Sequence, residues 1–297
     1  MSSSRAARIT RRSLLAGGAA VVVAGAAAEA VNLRLLPGRS TMYRVLGLDG
    51  PAGTVPDVTP VPTVSGSFTS RARKGLEVGW TIAAPQSDGP LPVAVALHGY
   101  GDDHADFFGS HLGYDRFLAA YVAAGGAPFA IAAVDGGNRY WHRRADGDDP
   151  AAMVVDEFLP VLARRGFDTA RLAFTGYSMG GYGALHIAGV LGSARVRAVS
   201  AISPALWRSA GETARGAFDG PADFAANTVL GRQSSLDGVA VRVDCGTGDG
   251  FETAVRAYVD GFATAPAGGF EPGGHTTAYW RRLAPQQLRF LGRHLQA

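Results

Sequence analysis

The chain has one cysteine, Cys245, and one lysine, Lys74, in 297 residues. One cysteine leaves no intramolecular disulfide, so stability must come from an apolar core. With 47% hydrophobic residues the sequence can supply a large one. Cys245 reads as a buried, inert thiol, because the neighbouring Asp244 and Asp249 disfavour a thiolate. The basic residues are otherwise arginines, a usage that reads as coding bias rather than a binding device. Net charge is +3 and the pI is near 9.2. Arg5, Arg8, Arg11, Arg12 and Glu29 account for that whole excess. From Val31 onward the charges balance, which removes the footprint of a nucleic-acid binder. No internal repeat is visible. The uncharged run from Leu14 to Ala28 is short of the roughly 20 residues that a membrane span needs.

That run follows Thr10-Arg11-Arg12-Ser13-Leu14-Leu15, a twin-arginine pattern. It ends in Ala28-Glu29-Ala30, a small-x-small cleavage site. Residues 1–30 therefore read as a twin-arginine signal peptide. The expectation is a secreted, extracytoplasmic protein with the Tat export machinery as a partner; an uncleaved membrane anchor is the alternative. Residues 31–63, rich in Pro, Gly, Thr and Val, read as a linker or a segment draped over the domain. Residues 64–297 read as one folded domain. Alternating residues at 67–70 and 77–82 predict a hairpin. Apolar runs at 93–97, 129–134, 171–175, 196–202 and 239–243 predict strands. Helical stretches lie between several of them, clearest at 151–165. This alternation predicts an α/β fold, a largely parallel sheet with helices on both faces. The weakly periodic stretch 208–237 reads as a small cap or lid.

The chemistry is concentrated in four short stretches. Gly176-Tyr177-Ser178-Met179-Gly180 is a G-x-S-x-G between a strand and a helix candidate. In that context Ser178 stands on a sharp turn as a nucleophile; capping of the following helix is the plainer reading. A serine nucleophile needs a base, and the base an orienting acid. An acid belongs just past a late strand, and the sequence there reads Asp244-Cys245-Gly246-Thr247-Gly248-Asp249-Gly250-Phe251. Asp249 lies in the loop proper and is favoured, with Asp244 expected to bond backbone groups of the turn. His275 follows Gly273-Gly274 and precedes a helix candidate. His294 falls on an amphipathic final helix and reads as a surface residue, and His186 as a packing or capping residue on the helix after Ser178. His275 is therefore the base. The fourth stretch, His98-Gly99-Tyr100-Gly101, ends an apolar strand. The backbone N–H groups of Tyr100 and Met179 would form the oxyanion hole, with His98 bracing the loop.

Together these stretches, with Tyr279-Trp280 behind His275, resemble the α/β-hydrolase serine esterases of the esterase D-like group, which includes S-formylglutathione hydrolases and secreted mycolyltransferases. The resemblance spans most of the chain from Pro92 onward and also implies Asp249 as the acid. It implies an α/β-hydrolase fold and an esterase acting on a small-molecule or lipid ester. An acyltransferase delivering to a sugar or cell-wall alcohol is an alternative, and so is a non-catalytic binding protein. The substrate does not transfer with the fold. Trp141 and Trp207, in loops at the carboxyl ends of strands, are candidate substrate-binding residues or sheet-edge packing. Asp146, Asp148 and Asp149 lack the rest of a calcium loop and read as a solvated turn. No metal or cofactor is expected.

Overall fold

The computed structural model describes residues 38–296, so the expected twin-arginine leader lies outside the described residues. Helix α1 (Arg39–Val45) precedes the sheet. The expected hairpin forms β1 (Thr63–Ser70) and β2 (Leu76–Ala83), paired antiparallel. The remaining strands are β3 (Pro92–Leu97), β4 (Ala130–Val134), β5 (Asp168–Tyr177), β6 (Val196–Ile202), β7 (Ala240–Gly246) and β8 (Ala267–Glu271). They form one sheet in the order β1-β2-β4-β3-β5-β6-β7-β8. β2 meets β4 antiparallel, and every pairing from β4 to β8 is parallel.

Parallel neighbours need crossovers, and helices supply them. These are α2 (Tyr114–Ala123); α3, which runs through Pro150–Ala152, a π-helical stretch Met153–Phe158, and Leu159–Arg164; α4 (Met179–Leu191); and α6 (Glu252–Asp260). A short α5 (Pro221–Asn227) lies between β6 and β7, and α7 (Thr277–Leu295) ends the chain. Side chains alternate across the sheet. Val93, Val95 and Leu97 join the core under α3 and α4, whereas Ala94 and Ala96 join the core under α2 and α7. Both faces are covered, which is why the central strands are unbroken apolar runs.

Three elements carry little sequence signal. β8 reads Ala-Gly-Gly-Phe-Glu, with two glycines and no β-branched residue; pairing with β7 makes it a strand. α1 lies in the segment expected to be linker or drape. α7 continues through Pro285, where the sequence offers two separate helical stretches. The proline costs about 3 kcal/mol. Trp280, Leu283, Leu288, Leu291 and Leu295 are buried on the same helix, each worth roughly 1.5–3 kcal/mol, and they outweigh it.

Candidate active site

Strand β5 stops at Tyr177 and α4 starts at Met179, leaving Ser178 alone on the turn at φ 54 and ψ −122. A residue with a Cβ seldom occupies that region. The turn is closed by backbone. A Cβ on Gly176 would run into the Gly180 carbonyl, and one on Gly180 into the Leu97 carbonyl. The Ser178 side chain makes no capping bond to α4. Its Oγ lies 2.9 Å from Nε2 of His275. Nδ1 of His275 lies 2.9 Å from Oδ2 of Asp249. The other Asp249 oxygen accepts the Phe251 N–H at 2.9 Å. Asp249 is fully buried and His275 is 30% exposed, so the chain of bonds runs from the interior toward solvent.

Asp249 and His275 meet because β7 and β8 pair. Beyond the strands that pairing continues: Thr247 N–H donates to the Glu271 carbonyl at 2.9 Å, and Gly248 N–H to that of Gly273 at 2.8 Å. Asp249 follows one loop by a residue and His275 follows the other by two. Thr276 then caps α7 through the Tyr279 N–H. Asp244 needs a correction. It sits in β7, and its carboxylate grips the Arg242 guanidinium at 2.7 and 2.8 Å rather than the backbone of the turn. Burial pushes its pKa above the ordinary carboxylate value, against the pull of Arg242.

At the end of β3 the Tyr100 N–H donates to no acceptor among the described residues, nor does the Met179 N–H that opens α4. Three side chains fix this loop. Gly136 N–H donates to His98 Nε2 at 3.0 Å, so the ring proton is on Nδ1 and donates to the Gly99 carbonyl at 2.7 Å. Burial lowers the His98 pKa and keeps the ring neutral. Asn138 Oδ1 accepts the Gly101 N–H at 2.7 Å, and Asp102 accepts the Tyr177 hydroxyl at 2.8 Å. Neither residue stands out in the sequence: nothing local ties Asn138 to the loop, and the partner of Asp102 is 75 residues away.

The two tryptophans part company. Trp141 is 0% exposed, packs edge-on to His98 and donates Nε1–H to the His98 carbonyl at 3.3 Å. With no free surface it lines no pocket, which corrects the substrate-binding expectation: it backs the loop after β3. Trp207 is 9% exposed and lies in a run of neighbouring rings. From the base outward these are His275, Phe251, Trp207, Tyr140 and Tyr100, with centroids 5.3, 5.5, 5.6 and 6.2 Å apart. The run joins His275 to the loop after β3. Behind it, Phe218 packs on Trp207 and Tyr140.

Phe218 belongs to the stretch expected as a cap or lid. The buried Arg144 side chain binds Asp219 at 2.6 Å and the Gly216 and Ala217 carbonyls at 3.1 and 2.8 Å. Arg144 also holds the Asp219 carboxyl down to about 2. The stretch is thus an anchored wall. The turn at Asp146–Asp149 is likewise not simply solvated. Asp148 is buried against Arg73 and Arg139, Asp146 pairs with Arg139 at 2.6 Å, and Asp149 caps α3.

No family model and no curated protein matches the chain. Solved structures do. It is similar to a ferulic acid esterase (22% identity, TM-score 0.67, covering 79% of this chain and 99% of that one). It is similar to an S-formylglutathione hydrolase from Agrobacterium tumefaciens (15% identity, TM-score 0.67, 83% and 100%). It is also similar to the fluorophosphonate-binding serine hydrolase F of Staphylococcus aureus (15% identity, TM-score 0.64, 79% and 99%). In strand order, in the elbow that carries Ser178 and in its structural neighbours, the chain is an α/β-hydrolase in architecture.

Proposed function

We infer that the protein is a serine esterase that hydrolyses carboxylic esters through an acyl-Ser178 intermediate. The observation that carries this reading is the unbroken Ser178–His275–Asp249 chain of 2.9 Å contacts on a strained elbow. A carboxylate only accepts, so His275 Nδ1 carries the proton toward Asp249 and Nε2 presents its lone pair to Ser178. As Oγ bonds to the ester carbon, its proton passes to Nε2. The carbonyl electrons move to oxygen, and the Tyr100 and Met179 N–H groups donate to that oxyanion; one such donor is worth about 3 kcal/mol. The intermediate collapses, and the alcohol leaves with the proton from Nε2. Water then gives a proton to Nε2 and attacks the acyl carbon, and as the acyl–Oγ bond breaks Ser178 takes that proton back from Nε2. The esterases and hydrolases among the structural neighbours support the same reading. The ring arc from Phe251 to Tyr100 favours a flat group on the ester. Export by the twin-arginine route is part of the proposal and rests on the leader sequence.

The test is labelling with a fluorophosphonate, followed by p-nitrophenyl esters of increasing chain length with and without trehalose. Free acid as the product, lost in Ser178→Ala, supports the hydrolase. Acyl-trehalose as the main product would make it an acyltransferase. A folded wild-type protein that neither labels nor turns over any ester would be a binding protein on this fold.

A further inference from the structure

We propose that residues 39–53 are a positioning strap that holds both the acid loop and the base loop in register. The proposal rests on the triad reading above. The residue before Asp249 is Gly248. Its N–H is held by the base loop, through the Gly273 carbonyl at 2.8 Å. Its carbonyl is held by the strap, through the Ser40 hydroxyl at 2.7 Å. The Tyr43 ring covers the same glycine so closely that a Cβ there would lie 2.8 Å from it. Arg39 reaches 4.0 Å from Glu252, the first residue of the helix behind Asp249. One turn of helix α1 thus pins the peptide that carries the acid.

The other half of the strap acts on the base. The residue before His275 is Gly274, and a Cβ on it would lie 3.2 Å from Oδ1 of Asp49. Gly53 N–H donates to the Ala278 carbonyl at 2.8 Å, in the first turn of α7. From α7, Arg282 bonds the Asp49 and Pro51 carbonyls at 3.1 and 2.6 Å and also the Pro272 carbonyl. A single guanidinium therefore ties the strap to the start of the base loop. The strap's hydrogen bonds described above go to Gly248, Ala278 and Arg282, and none of them to Ser178 or the His275 ring. The strap's effect passes through Gly248, Gly274 and α7, so it governs the placement of Asp249 against His275. A separation of 2.9 Å between these two leaves little room for drift.

The test uses the full chain with Ser40→Ala/Tyr43→Ala, and a second form with a protease site inserted at Val58–Thr59, in exposed coil, to be cut after folding. Turnover of p-nitrophenyl acetate, with kcat and KM determined separately, and the unfolding midpoint are measured. Small misplacements of catalytic groups are costly in rate, so kcat should fall about tenfold with KM nearly unchanged. Ser40→Thr with Tyr43→Phe should restore kcat. Unchanged kcat in the double variant and in the cut form would overturn the proposal. So would a rate loss that tracks the unfolding midpoint and that the conservative pair does not restore. A wild-type chain without ester turnover or fluorophosphonate labelling would instead remove the triad reading, and this inference with it.

Discussion

Replacing Asp249 with asparagine should leave the fold and abolish turnover, and the structure gives the reason in atoms. Oδ1 of Asp249 accepts the Phe251 N–H at 2.9 Å. In Asp249→Asn that donor selects the amide oxygen for its own side. The NH₂ then faces His275 Nδ1, where Oδ2 now sits at 2.9 Å. An amide N–H donates, so Nδ1 must accept and the ring proton moves to Nε2. Nε2 faces Ser178 Oγ at 2.9 Å and can no longer take its proton. Loss of the right tautomer in a triad costs about 10⁴ in kcat, or roughly 5.5 kcal/mol of transition-state stabilisation. Asp244→Asn should behave differently. It weakens a nearly buried pair with Arg242 whose full disruption costs about 3–5 kcal/mol, so the unfolding midpoint drops while kcat changes less than about tenfold. The assay is turnover of p-nitrophenyl acetate by both variants at a temperature where circular dichroism shows each folded. An inactive Asp244→Asn beside a near-normal Asp249→Asn would refute the argument.

Ser178→Ala should keep the wild-type melting curve and lose activity by a factor of order 10⁶; more than a tenth of the activity remaining would show another nucleophile. Trp141→Ala should cost about 3–5 kcal/mol of stability through the cavity it leaves, whereas Trp207→Ala should raise KM for aryl esters with a smaller loss of stability, so equal KM values for the two would contradict their placement. Burial pushes His186 down to about 4 beside His142, Arg232 and Asp223, and burial also lowers His98. The unfolded chain binds those protons near pH 6.5, so stability should fall as pH drops from about 6.5 to 4, and His186→Gln should flatten the melting temperature across that window. Mass spectrometry of the exported protein should find an N-terminus near Val31; a membrane-bound species that keeps Arg11 would mean an anchor.

What could be read from the sequence was local. The elbow is five consecutive residues between an apolar strand and a helix, and its glycines are demanded by backbone atoms that any sheet of this kind brings there. The central strands were legible because a sheet covered on both faces writes itself as unbroken apolar runs. β8 was not, because Ala267-Gly268-Gly269 has no strand character until β7 pairs with it. Yet that pairing is what brings Asp249 to His275. Asn138 escaped for the same reason: it reaches the loop after β3 across the fold, from a loop whose own sequence does not mention it, and Asp102, two residues past Tyr100, has a distant partner in Tyr177 that only the fold brings to it. Trp141 was misplaced because an aromatic residue after a strand looks the same whether it turns out to a pocket or in under the loop. The full burial of Trp141 against His98 decides the case.

The same distinction separates chemistry from substrate. Proton transfer needs three side chains and two N–H groups, and each sits within a few residues of a recognisable strand end. The proposed ester-binding surface is assembled otherwise. Tyr100 comes from the loop after β3, Tyr140 from the loop after β4, Trp207 from the loop after β6 and Phe251 from the loop after β7. They become one surface only through ring contacts between them. Phe218 enters from a fifth stretch and is held there through its neighbour Asp219, which is bound by Arg144, far from it in sequence. A change at Asp219 would therefore reach the substrate without touching the triad: releasing the wall frees Phe218, and Trp207 and Tyr140 lose the ring packed behind them. Selectivity among esters should accordingly vary with residues 208–237 while the fluorophosphonate reactivity of Ser178 stays constant.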